Sequence, residues 1–160
     1  MTVLASGDGR ARLVLPDGWE TLPAPAPDTT AAIEPAEDAR PAGAEEGFRS
    51  NLVLTTSPQE ATSFRDWQVA TDELLPRMLT DYLLLDLEKC DVAGHPGGRR
   101  LAHHVTPDGT AVTMEQWFAV VSGVGYTLTA TVDSWRYDEQ ADALAAVAAG
   151  LRIAAAGETP

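Results

Sequence analysis

Gly98 to Ile153, GRRLAHHVTPDGTAVTMEQWFAVVSGVGYTLTATVDSWRYDEQADALAAVAAGLRI, is the stretch that decides the fold. Arg99 to Thr106 alternates, Pro107-Asp108-Gly109-Thr110 is a turn, and Ala111 to Ser122 and Gly125 to Asp133 are β-rich runs joined across Ser122-Gly123-Val124-Gly125. Three antiparallel strands are followed by an alanine-rich amphipathic helix. Asp133 or Ser134 can cap that helix, and Ala141, Leu144, Ala148 and Leu151, with Val147 beside them, form its apolar stripe.

Working outward, Leu83 to Val92 alternates as a further strand, with Leu83, Leu85 and Leu87 against Asp86 and Glu88, and Gly94-His95-Pro96-Gly97-Gly98 turns the chain. Before it, Ser63 can cap a helix in which Phe64, Trp67, Leu74, Leu75, Met78, Leu79 and Tyr82 recur at helical spacing. Pro76 lies inside that helix, so a kink or break is expected near Asp72 to Leu75. Phe48 to Thr56 is a β-branched, alternating strand. Arg10 to Leu15 is a short first strand with Leu13 and Leu15 on one face, and Pro16-Asp17-Gly18 then leads to Trp19, a core anchor. Pro23 to Gly47 differs: it holds five of the eleven prolines and six carboxylates against Arg40 alone. Such a segment cannot bury enough apolar surface to offset its ordering entropy. We expect an acidic, proline-rich mobile loop over 23–47, with Thr29 to Ile33 the stretch in it able to form a short strand. The pattern implies one α+β domain over 1–160: a mainly antiparallel twisted sheet of about six to seven strands with two principal helices packed on it.

Length and composition bound the function. A chain of 160 residues can bury roughly two-thirds of its unfolded surface without cross-links. Cys90 is the single cysteine, so neither an internal disulfide nor a cysteine zinc site is expected. The net charge of -13 and the single lysine, Lys89, disfavour nucleic acid and anionic membranes as partners. Met1 to Arg12 has no basic and then apolar leader, and no run of about 18 apolar residues occurs, so a cytoplasmic protein without membrane insertion is expected.

No catalytic constellation stands out. His95, His103 and His104 do not converge, because adjacent strand residues face opposite sides and His95 lies across a glycine turn; no metal is expected. Asp86 and Glu88 share a strand face with Glu115 within reach, the spacing of paired carboxylates but equally of any solvated strand face. Cys90 with His103 reads as a small apolar filler rather than a nucleophile set. Ser6-Gly7 and Ser122-Gly123 lack a nucleophile elbow, and the short Gly-x-Gly turns cannot cradle a phosphate, so no cofactor is expected. The aromatics Trp67, Trp117, Phe118, Trp135 and Tyr137 are of more interest, since a tryptophan left exposed makes a protein-binding surface. Trp117, Trp135, Tyr137 and Trp67 are the expected partner-binding residues.

The chain resembles the Mog1/PsbP-like superfamily and, within it, the actinobacterial LpqN-type proteins. The resemblance rests on Leu15-Pro16-Asp17-Gly18-Trp19, on the strand Phe48-Arg49-Ser50-Asn51-Leu52-Val53-Leu54 after a variable loop, and on the closing helix running into Ala149-Gly150-Leu151-Arg152-Ile153. It implies a recurrent non-catalytic binding scaffold, and we expect an accessory protein, chaperone or adaptor for a protein partner such as a secreted effector. A monomer or homodimer is expected. The alternative is a small-ligand carrier or enzyme with a pocket between helix and sheet, built around Asp86, Glu88 or His103.

Overall fold

Alternating apolar residues close the chain onto a seven-stranded antiparallel sheet, seen in a computed structural model that describes residues 1–39, 47–60 and 62–160. In chain order the elements are β1 (Val3–Ala5), β2 (Ala11–Val14), β3 (Glu20–Ala26), β4 (Thr29–Ile33), β5 (Asn51–Pro58), α1 (Phe64–Met78), β6 (Thr80–Val92), β7 (His95–Val105), β8 (Ala111–Val121), β9 (Val124–Asp133), α2 (Tyr137–Ala149) and β10 (Arg152–Ile153). The large sheet runs β3-β4-β5-β9-β8-β7-β6, and β1-β2-β10 form a small second sheet. The α+β architecture expected from the sequence is the one observed.

One face of the large sheet carries the main core. Leu52, Leu54, Trp117, Leu128 and Ala130 pack there with Leu144 and Ala148 of α2 and with Leu4, Leu13 and Ile153 of the small sheet. Trp19 is buried in the same cluster. The other face receives α1. Ser63 caps that helix by accepting the Asp66 N–H at 3.1 Å, and Phe64 stacks on Phe118 with ring centroids 5.8 Å apart. Trp67 meets Phe118 edge-on and lies over Gly125, where a Cβ would come within 2.8 Å of the indole. Beneath the middle of α1, the buried Arg100 guanidinium donates to Asp72 at 2.5 and 3.1 Å and to Gln116 at 2.8 Å. A desolvated guanidinium must be paired in this way.

Four expectations are corrected. Pro76 does not break α1, because it sits in the last turn, where it removes one backbone bond and the helix ends two residues later. The turn before β7 is Ala93-Gly94, both at positive φ as a two-residue hairpin requires, so His95 to Gly98 belong to the strand. Asp133 caps a single 3-10 turn, Ser134–Arg136, by accepting the Trp135 N–H at 2.9 Å, and α2 itself begins without a side-chain cap. Pro23 to Ala26 lie in β3, which pairs with the Thr29–Ile33 strand that the sequence allowed, so the first part of 23–47 is sheet rather than loop. Proline is accommodated because β3 is an edge strand. Glu34, placed by composition among the solvated carboxylates, is 2% exposed; it accepts the Ser50 N–H at 2.6 Å and two bonds from Arg136. Residues 40–46 of that segment lie outside the described residues.

Candidate functional site

The β6 side of the sheet carries the largest group of exposed apolar side chains among the described residues, with Val3, Val14, Leu22 and Val69 exposed elsewhere. Leu74 and Met78 at the end of α1 and Leu83, Leu84 and Leu85 at the start of β6 are all exposed, Met78 by 68% and Leu83 by 57%. Two features of the backbone put them there. β6 is an edge strand, and its pairing with β7 slips between Thr80 and Leu83 and again between Leu84 and Asp86, so consecutive leucines leave the regular alternation. Trp135 is 92% exposed. It follows Ser134, whose hydroxyl lies 3.0 Å from that of Thr113, the register partner of His103 and through it of Leu83. The exposed indole thus marks the same end of the sheet as the leucines.

Next to the leucines, on the sheet face that α2 covers, one guanidinium serves three carboxylates. Arg99 reaches Glu115 at 2.5 Å, Asp86 at 3.3 Å and Glu88 at 3.4 Å. Glu115 is buried and also accepts the Tyr137 hydroxyl at 3.0 Å. Asp86 and Glu88 are half exposed, with acceptor capacity left over. Burial works against the Arg99 charge, but the Glu115 bond and charge outweigh it, and Arg99 is held still more firmly protonated than usual. Burial and then the Glu115 charge push the Tyr137 hydroxyl up. Burial and then Glu88 push the Cys90 thiol up, opposite to what a nucleophile needs.

Two grooves flank β6. On the α2 side, Glu88, Cys90, Asp91, Trp117, Ala148 and Arg152 line a groove of about 620 Å³. On the α1 side, Phe64, Arg65, Gln68, Leu87, Lys89 and Phe118 line one of about 450 Å³, floored by Gly97 and Gly98.

The structure separates the aromatic residues singled out by sequence. Trp135 is exposed; Trp117 is buried in the core, at the wall of the α2-side groove; Trp67 is half buried against Phe118 and Gly125; Tyr137 is tied to Glu115. His103 and His104 lie on opposite faces, His104 with its pKa lowered by burial, while His95 Nε2 sits 3.1 Å from the Ile153 carbonyl. Among the described residues no group of three or more His, Cys, Asp or Glu is placed to hold a metal ion. Asp86, Glu88 and Glu115 do come together, as their spacing suggested, but around Arg99. The exposure of Leu83 to Leu85 was not anticipated; the two bulges behind it leave no mark in the alternation.

No protein-family model matches this chain, and no curated protein matches it either. Solved structures do. A cyanobacterial PsbP (CyanoP) from Synechocystis sp. PCC 6803 superposes with a TM-score of 0.69 at 12% identity, over 96% of this chain and 92% of that one. LpqN of Mycobacterium tuberculosis, involved in cell envelope biogenesis, gives 0.62 at 18% identity over 99% and 90%. The Saccharomyces cerevisiae Ran-binding protein Mog1p gives 0.62 at 11% over 96% and 95%. The chain has the Mog1/PsbP-like fold. Among the described residues no helix is long and apolar enough to cross a membrane.

Proposed function

We propose that this chain is a non-catalytic accessory protein of the cytoplasm, a chaperone or adaptor that holds a protein partner on the β6 side of its sheet. The observation that carries this reading is the group of exposed apolar side chains Leu74, Met78, Leu83, Leu84 and Leu85, with the exposed Trp135 at the same end of the sheet. Keeping that many large apolar side chains in water is unfavourable, and exposed apolar clusters mark places where another molecule binds. Tryptophan is the residue most enriched at the centres of protein interfaces. A Ran-binding protein among the structures of the same fold supports the class of role.

The groove beside α2 favours a second reading, a small-ligand carrier, because it is concave and bounded by Trp117. Its polar groups weigh against catalysis: Arg99 is spent on carboxylates and the Cys90 thiol is pushed up.

Affinity capture from the cells of origin separates the two. Wild type is expected to retain a protein that Leu83→Asp and Trp135→Ala, both folded by thermal melt, release. A small molecule retained in native mass spectra, with no protein lost from the variants, would give the groove reading instead.

A further inference from the structure

The two edges of the large sheet differ. β3 carries Pro23 and Pro25 and an irregular register, devices that stop a strand from accepting a neighbour. β6 has no proline, and from Asp86 to Val92 it pairs with β7 in unbroken register, Asp86 with Leu101 through Val92 with His95. Among the described residues, those seven have β7 on one side and no strand on the other. Their outward N–H and C=O groups form a ready template for one more strand.

From this edge we infer that Asp86–Val92 accepts an extended segment of the protein partner as an eighth strand, and that the segment alternates basic with apolar side chains. The inference rests on the partner-binding reading above and gives its mode. Side chains of an added strand alternate between faces, and a groove waits on each face. Toward α2 they meet Asp86 and Glu88, which have one shared guanidinium between them and Glu115, so a Lys or Arg finds unspent acceptors. Toward α1 they meet Phe64, Leu87 and Phe118 over two glycines, with Arg65 and Lys89 lining the same groove, a surface that takes an apolar or aromatic side chain and disfavours a basic one.

Charge also argues against a second copy of the chain. Paired antiparallel with itself in its best-overlapped register, the run sets Lys89 against Lys89. Because opposed side chains must share a face, the next registers lie two residues away: slipped one way the run sets Glu88 against Glu88, and slipped the other way it sets Lys89 against Asp91 but with a shorter overlap. Like charges directly opposite destabilise a strand pair, and the net charge of -13 adds to the repulsion.

The test uses the full chain, isotope-labelled, with a capped synthetic peptide of about nine residues, enough to span the run, alternating lysine and valine. Amide exchange across Asp86–Val92 is expected to slow by about tenfold near saturation. A peptide N-methylated at alternate residues is expected to give no protection, and Asp86→Asn with Glu88→Gln to weaken binding by about tenfold. Unchanged exchange at β6 with the lysine peptide, equal binding by the N-methylated peptide, equal binding by a glutamate-for-lysine peptide, or a dimer of the chain protected at Asp86–Val92 would each overturn the inference. A partner captured through Leu83 and Trp135 whose complex leaves the β6 amides unprotected would sink strand addition alone. Absence of any partner sensitive to Leu83 or Trp135 would sink the broader reading instead.

Discussion

Arg136 grips Glu34 with both terminal nitrogens, Nη1 to Oε1 at 2.6 Å and Nη2 to Oε2 at 3.2 Å, and so ties the entry of α2 to the end of β4. Gln140 joins the same carboxylate at 3.3 Å, and its own carbonyl accepts the Ser50 hydroxyl at 2.6 Å. This network, with the packing of Leu144, seats α2 on the sheet and thereby fixes where Trp135 stands.

Glu34→Gln is expected to cost about 2 kcal/mol in urea unfolding, since it leaves Arg136 half paired. Burial raises the Glu34 carboxyl, but the Arg136 bond, the Ser50 amide and the Arg136 charge together outweigh it and hold the folded value below the ordinary 4.5. The unfolded chain therefore binds this proton more readily than the folded one. The contribution is fully present above pH 4.5 and is lost as pH falls through the depressed folded value. The difference between wild type and Glu34→Gln should be greatest at neutral pH and shrink in acid.

Arg100→Ala is expected to destabilise the fold by about 3–5 kcal/mol, because it strips the partner from Asp72 and Gln116 beneath α1. Removing both charges, Arg100→Met with Asp72→Leu, should recover most of that loss. Urea midpoints, with near-ultraviolet dichroism of Trp67 reporting α1 docking, distinguish the pair from a simple packing effect.

The two tryptophans that sequence treats alike should part company. Trp117→Ala is expected to cost about 3–5 kcal/mol as a core truncation, whereas Trp135→Ala should stay within about 0.5 kcal/mol of wild type. Thermal melts measure both. The long-wavelength part of the fluorescence should vanish with Trp135 alone.

Cys90 should alkylate slowly at neutral pH and faster as pH rises past 9.0, the ordinary value that burial and Glu88 raise. Thiol titration with and without Glu88→Gln measures the effect. Cys90→Ser should leave partner binding intact.

How far the sequence could be read follows from the range of the interactions. The β7 to β9 strands were legible because alternation and tight turns are local, and the Leu144 stripe because helical spacing is. Glu34 was not: its acidic, proline-rich neighbours read as solvated, and the residue that explains its burial lies 102 positions away. The burial of Arg100 has the same kind of cause and left no local signal: a charge on an alternating strand reads as solvent-facing until Asp72 is placed over it by α1. For the site, an exposed tryptophan was anticipated, but which one depended on α2 covering Trp117, and the Leu83 to Leu85 patch depended on bulges that the composition does not disclose.

The most direct measurement is the dissociation constant of the captured partner for the folded Leu83→Asp/Trp135→Ala double variant beside Asp86→Asn. The double variant is expected to lose about 3 kcal/mol or more of binding, as central interface residues do, with Asp86→Asn weakened only modestly. A folded double variant that binds as tightly as wild type, with Asp86→Asn inactive in the cell, would contradict it and move the function to the groove beside α2.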